Sequence, residues 1–140
     1  MRISFSGTRR GCSGFQLKML KEWLLAHRGE VTLAAHGGCI GADIQFHLLV
    51  RRLYGSGFFI AVYPSDAQTR APLSQYQDAN FIDNVAKPLI RNEKIIIVGH
   101  GTLLACPRTD FEVQRSGTWH AIRCARSNGV PVVQFLRKES

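Results

Sequence analysis

"DNVAKPLIRNEKIIIVGHGTLLACP", residues 83–107, carries two apolar runs a few residues apart. "IIIV", residues 95–98, has the β-branched character of a strand, and the apolar "TLLACP", residues 102–107, also reads as one. Read as two strands, they would be joined by Gly99-His100-Gly101 alone and would run antiparallel. The rest of the chain alternates strand and helix, so this segment decides the fold. We read a helix from Pro88 to Val98, with proline in its first turn where a missing N–H costs nothing, and a strand over 102–106.

Working outward, the other segments keep that alternation. "RISFS", residues 2–6, reads as a strand, and Gly7-Thr8-Arg9-Arg10-Gly11 as a loop. Ser13 with Gln16 three residues on forms a capping box. A helix follows over 15–28, with Leu20, Trp23, Leu24 and His27 on one stripe. "VTLAA", residues 31–35, lacks charge and reads as a strand buried on both faces. His36-Gly37-Gly38-Cys39-Ile40-Gly41-Ala42-Asp43 leads into a helix that ends near Tyr54, with Phe46, Leu49, Val50 and Leu53 at core spacing. "FFIAVY", residues 58–63, is a third strand. Residues 65–82 are polar and read as a loop with a short helical piece around Gln75–Ile82. Ser116–Ser127 reads as a helix stopped by Asn128-Gly129, and Pro131–Leu136 as the last strand. This order predicts an α/β fold: an open parallel sheet of about five strands with helices on both faces, in a single domain over 1–140.

The chain has 140 residues and a formal net charge of +8, from 18 Lys+Arg against 10 Asp+Glu. A basic surplus suits polyanionic partners, either nucleotides or nucleic acid, and is equally compatible with a solvated face. No stretch is long and apolar enough for a bilayer, and the N-terminus lacks the apolar run of a signal peptide, so a cytoplasmic chain without membrane contact is expected. Cys12, Cys39, Cys106 and Cys124 have no C-x-x-C spacing and no histidine at a zinc-ligand offset. We expect reduced thiols, no metal and no cofactor.

In an open parallel sheet the ligand sits beyond the carboxyl ends of the strands. Gly7-Thr8-Arg9, Gly37-Gly38-Cys39-Ile40-Gly41 and Arg115-Ser116-Gly117-Thr118 fall on that edge. Glycine admits an anion close to backbone N–H groups, and a helix start adds its dipole. Arg9 and Arg115 supply charge, while Thr8, Ser116 and Thr118 supply hydroxyls. Neither G-x-G-x-x-G nor G-x-x-x-x-G-K occurs, which disfavours ordinary dinucleotide and P-loop sites. His36, His47, His100 and His120 are candidate bases or structural histidines; Asp43 is a helix cap or a ligand contact. Trp119 is core or a stacking platform. Asp110 and Glu112 are the acidic pair expected near the same edge.

The set "SGTR", "HGGCIGAD", "YPSD", "KPLIRN", "LLACP" and "RSGTWHAIRCA" resembles the SLOG superfamily, which joins the DprA/Smf DNA-processing proteins to the LOG phosphoribohydrolases. The likeness is nearest to its small, single-domain, YspA-like branch and covers nearly the whole chain. It implies a Rossmann-like nucleotide-binding domain, a homodimer or higher homo-oligomer, and a helix at "IRNEKIIIV". It also implies a pocket lined by Gly7, Thr8, Arg9, Gly37, Gly38, Gly41, Asp43, Arg91, Asn92, Pro107, Ser116, Gly117 and Thr118. LOG enzymes place a catalytic glutamate where this chain has Ala121; the resemblance implies that Glu112 or Asp110 stands in for it, with Arg91 beside Asn92 at the position of the LOG arginine, in N-glycosidic cleavage of a nucleoside 5′-monophosphate. The expected partner is a nucleotide or nucleotide-derived molecule, with single-stranded nucleic acid, as in DprA, as an alternative.

Overall fold

The structure is a computed structural model that describes residues 1–98 and 101–139. His100, one of the candidate bases, lies outside the described residues. The elements are β1 (Arg2–Gly7), α1 (Gly14–Ala26), β2 (Leu33–His36), α2 (Ala42–Tyr54), β3 (Ile60–Val62), β4 (Phe81–Ile82), α3 (Pro88–Val98), β5 (Thr102–Cys106), α4 (Gly117–Ser127) and β6 (Val132–Gln134).

The deciding segment is a helix followed by a strand, as the alternation requires. The isoleucine run shows why. On α3, Arg91, Asn92, Ile95 and Ile96 are buried together on one helical face, whereas Ile97 is 67% exposed. Ile95 packs with Ala35, Ala61 and Tyr63, and Ile96 with Leu103, Ala105 and Trp119. A strand would have turned Ile95 and Ile96 to opposite faces.

Among the described residues the sheet has six strands in the order β4-β3-β2-β1-β5-β6, and every pairing is parallel. The expected count of about five is thus one short, because β4 comes from the segment read as a short helical piece. That segment makes only a 3-10 turn at Leu73–Gln75. Residues beyond it are drawn into the sheet. Asn80 donates its N–H to Ile60 O and accepts the Ile60 N–H on its side-chain oxygen, at 2.9 Å each, a pairing that side-chain chemistry extends from β3. Arg51 fixes the same corner, donating to Asp78 O at 2.9 Å and to Asn80 Oδ1 at 3.0 Å.

Helices cover both faces. Leu20 and Leu24 of α1 and Phe46, Leu49 and Val50 of α2 pack on Ile3, Phe5, Ala34, Ile60, Val62, Leu104 and Cys106. Phe5 and Phe46 stack with centroids 4.4 Å apart. Trp119, Ile122 and Ala125 of α4 join Ile96 on the other face against Leu103 and Ala105. The neighbours Leu103 and Leu104 thus serve opposite layers, the period-2 logic of a doubly covered sheet. The capping box at α1 forms: Gln16 N–H donates to Ser13 Oγ at 3.1 Å and Ser13 N–H to Gln16 Oε1 at 2.9 Å. Gln16 also donates to Pro107 O at 2.9 Å and Phe135 O at 3.0 Å, tying α1 to the segments that follow β5 and β6.

Candidate functional site

β1 and β5 are neighbours whose last residues, Gly7 and Cys106, lie level in register. The chain leaves β1 for α1 on one face and leaves β5 for α4 on the other. Such a divergence opens a crevice beyond the strand ends. The crevice is a cavity of about 980 Å³. Gly7, Thr8, Arg9, Asp43, Arg91, Asn92, Glu112, Arg115, Ser116, Gly117 and Thr118 line it. Gly37, Gly38, Gly41 and Pro107 do not line it.

The first loop is clamped where it leaves β1. Thr8 N–H donates to Cys106 O at 3.1 Å, and Thr8 O accepts the Gly11 and Ala42 N–H groups at 3.0 Å each. Thr8 Oγ1 accepts from Arg10 N–H at 3.2 Å. These bonds leave the Arg9 amide without a partner among the described residues. A Cβ on Gly7 would run into Ala42 Cβ, so glycine there lets α2 approach β1.

The second glycine loop serves a different purpose from a phosphate cradle, because its amides are spent internally. Gly38 N–H donates to His36 Nδ1 at 3.0 Å, Cys39 N–H to Asp43 Oδ2 at 3.2 Å, and Ile40 N–H to Thr69 O at 2.7 Å. Gly41 has φ +88°, and a side chain there would strike the Arg9 backbone. The loop positions Asp43 and receives Arg91, which donates to Gly37 O at 2.9 Å and to Asn92 Oδ1 at 3.0 Å. Asn92 continues to His120 Nδ1 at 3.1 Å.

Asp43 is not the cap of α2. Gly41 holds that position, and no side chain caps it. The Asp43 carboxyl is buried, with Oδ1 lacking a hydrogen bond among the described residues. Burial raises its pKa to about 6; Arg91 and the nearby amides of Cys39, Gly37 and Gly7 hold it from rising further. Glu112 lies at the rim, where its carboxylate accepts from Arg123 at 2.9 Å. Asp110 is turned away, accepting the Arg137 N–H at 2.7 Å. Trp119 is core, with Nε1 donating to Thr109 Oγ1 at 3.2 Å.

At the start of α4, Ser116 is the N-cap and accepts from Trp119 N–H at 3.3 Å. The Gly117 and Thr118 amides have no partner among the described residues. Thr118 is 4% exposed, lines the cavity and makes no hydrogen bond through its hydroxyl among the described residues. A Cβ on Gly117 would meet nothing within 4 Å, so that corner is open. Arg9, Arg10, Arg108 and Arg115 surround the cavity, and none of their guanidinium groups has a carboxylate or hydrogen-bond partner among the described residues.

No family model and no curated protein matches the sequence. Solved structures do match the fold. DNA processing protein A from Streptococcus pneumoniae superposes with a TM-score of 0.70 at 15% identity, over 95% of this chain and 49% of that one. The likeness is one of fold: the parallel, doubly covered sheet of this chain is shared with that protein. A molybdenum cofactor binding protein from Rippkaea orientalis matches with a TM-score of 0.62 at 14% identity, over 94% of this chain and 74% of that one. The protein TM1055 matches at 0.59 and 16%, over 94% and 72%. This chain spans about half the length of the DNA processing protein. On this fold the cavity occupies the crevice between β1 and β5.

Residue-type reasoning missed Arg10 and Arg108 as lining residues. Both were legible: Arg10 adjoins Arg9, and Arg108 follows directly on β5. It also missed a buried relay, in which His36 Nε2 meets His47 Nδ1 at 2.7 Å and His47 Nε2 meets Asp78 Oδ1 at 2.7 Å. Because Gly38 N–H donates to His36 Nδ1, the neutral His36 carries its proton on Nε2, so every donor in the relay points toward Asp78. Burial, with His47 and Arg91 beside it, pushes the His36 pKa well below its usual range. His36 and His47 are therefore struts for the glycine loop and do not line the cavity. No position in the sequence announces Asp78 as their partner.

Proposed function

We propose that the protein binds a nucleotide or nucleotide-derived ligand in this cavity, with a phosphate at the start of α4. The observation that carries the reading is the Gly117–Thr118 corner. It offers two amides and the hydroxyl of the buried Thr118, none with a partner among the described residues, beside Arg115, on a cavity of about 980 Å³ that is ample for a nucleotide. Titration calorimetry with AMP and ADP-ribose tests it: saturable, one-to-one binding is expected, and its absence with every nucleotide tried removes the reading. A homo-oligomer and a cytoplasmic location belong to the same proposal.

A second reading is hydrolysis of a nucleoside 5′-monophosphate to base and ribose phosphate. Asp43 supports it, as a buried carboxyl with a pKa of about 6 beside Arg91 on the cavity wall. Glu112, engaged with Arg123, is the weaker candidate for the carboxylate role. Release of free base lost in Asp43→Asn and kept in Glu112→Gln would support it. A third reading, single-stranded nucleic acid, draws on the likeness to DNA processing protein A and on the +8 charge, and predicts binding that weakens steeply with salt.

A further inference from the structure

The cavity wall has a charge excess that one phosphate does not match. Arg9, Arg10, Arg91, Arg108 and Arg115 line it against Asp43 and Glu112, a net of three positive charges with both carboxylates ionised. A phosphate monoester brings at most about two negative charges at neutral pH. The cationic groups are also divided between two walls. One wall is the start of α4, with Arg115 and with the Gly117 and Thr118 amides and the Thr118 hydroxyl, which have no partner among the described residues. The other is the loop after β1, with the unpartnered Arg9 amide and the Arg9 and Arg10 side chains. That loop is held rigid by the Thr8 bonds to Cys106, Gly11 and Ala42, so its free amide is a fixed feature.

Resting on the nucleotide reading, we infer that the ligand carries two phosphoryl groups, one on each wall, as in a nucleoside diphosphate or a dinucleotide joined through a pyrophosphate. Asp43 fits the division. Its buried carboxyl, with Oδ1 unpartnered among the described residues, is a site that an anionic phosphate avoids, so the phosphoryl groups are directed to the two walls. Arg91, which already donates to Gly37 and Asn92, neutralises that carboxylate from behind.

The test is calorimetric titration of the full chain with AMP and with ADP at fixed ionic strength. The variants are Arg9→Gln, Arg115→Gln and, as a control for bulk charge, Arg126→Gln in the last turn of α4. ADP is expected to bind at least about tenfold more tightly than AMP, the scale of one added charge-assisted phosphate contact. Arg9→Gln should lower ADP affinity about tenfold and AMP affinity by a clearly smaller factor, and Arg115→Gln should weaken both. Arg126→Gln should change neither. Equal affinity for AMP and ADP, or equal weakening of both by Arg9→Gln, overturns the two-phosphate inference while leaving the nucleotide reading standing. Loss of ADP affinity in Arg126→Gln as large as in Arg9→Gln also overturns it, because the preference is then bulk charge. Binding of neither nucleotide overturns the nucleotide reading and this inference with it.

Discussion

Replacing Asp43 with asparagine should make the protein more stable at neutral pH, by an amount that depends on pH. The carboxyl is buried, and its folded-state pKa is about 6 against an ordinary 3.8. Two units correspond to about 3 kcal/mol, by which burying the ionised form destabilises the native state at pH 7. The sign follows from proton counts. Between pH 3.8 and 6 the folded chain holds the proton more tightly than the unfolded chain, so stability falls as pH rises through this window. The penalty is absent below it and full above it. Asparagine keeps the shape and an acceptor for the Cys39 amide, and removes the charge. His36, whose lowered pKa makes stability fall as pH drops through the usual histidine range, acts alike in both proteins. It cancels in the difference. Differential scanning calorimetry from pH 4 to 8 should show Asp43→Asn melting roughly 5–10 °C higher at pH 8, with the gain shrinking toward zero at pH 4. A variant that melts lower at every pH, by a constant margin, would refute the argument. The carboxylate would then be holding the loop together at no cost. A stabilising Asp43→Asn variant that also loses ligand marks a residue kept for binding or chemistry at the expense of stability.

The remaining predictions separate structural from binding roles. Ser116→Ala should lower stability by about 1 kcal/mol through loss of the α4 cap, with nucleotide affinity of the folded protein nearly unchanged, whereas Thr118→Val should melt normally and bind less well. Gly41→Ala places a Cβ against the Arg9 backbone at φ +88° and should destabilise by more than about 1 kcal/mol, while Gly117→Ala, which meets only open space, should shift the melting temperature little. His47→Phe leaves the His36 Nε2–H buried without an acceptor and should cost about 1–3 kcal/mol in denaturant titration; an unchanged midpoint would show that the relay contributes nothing.

The fold was legible wherever local pattern and alternation agreed. Pro88 opening a helix, Ser13 with Gln16 capping another, and the apolar spacing of Phe46, Leu49 and Val50 each fix one element, and alternation fixes the parallel order. β4 was not legible, because two exposed residues enter the sheet through Asn80 and Arg51, contacts made across a long gap in sequence. In the site, glycine spacing pointed to loops but not to where their amides point. The Gly37-Gly38 loop spends its N–H groups on His36, Asp43 and Thr69, and the Gly7 loop spends all but the Arg9 amide, whereas the start of α4 leaves the Gly117 and Thr118 amides without a partner among the described residues. The role of Asp43 was hidden for the same reason: a cap and a buried carboxyl differ only in which way the side chain turns.

The central claim is that phosphate binds at Gly117 and Thr118, and amide NMR of the labelled protein reads that contact directly. On titration with AMP, the account predicts that the Gly117 and Thr118 amide resonances make the largest shifts, saturating together with one dissociation constant, and that Thr118→Val weakens it. Saturable shifts centred elsewhere on the surface, with Gly117 and Thr118 unmoved, would contradict it.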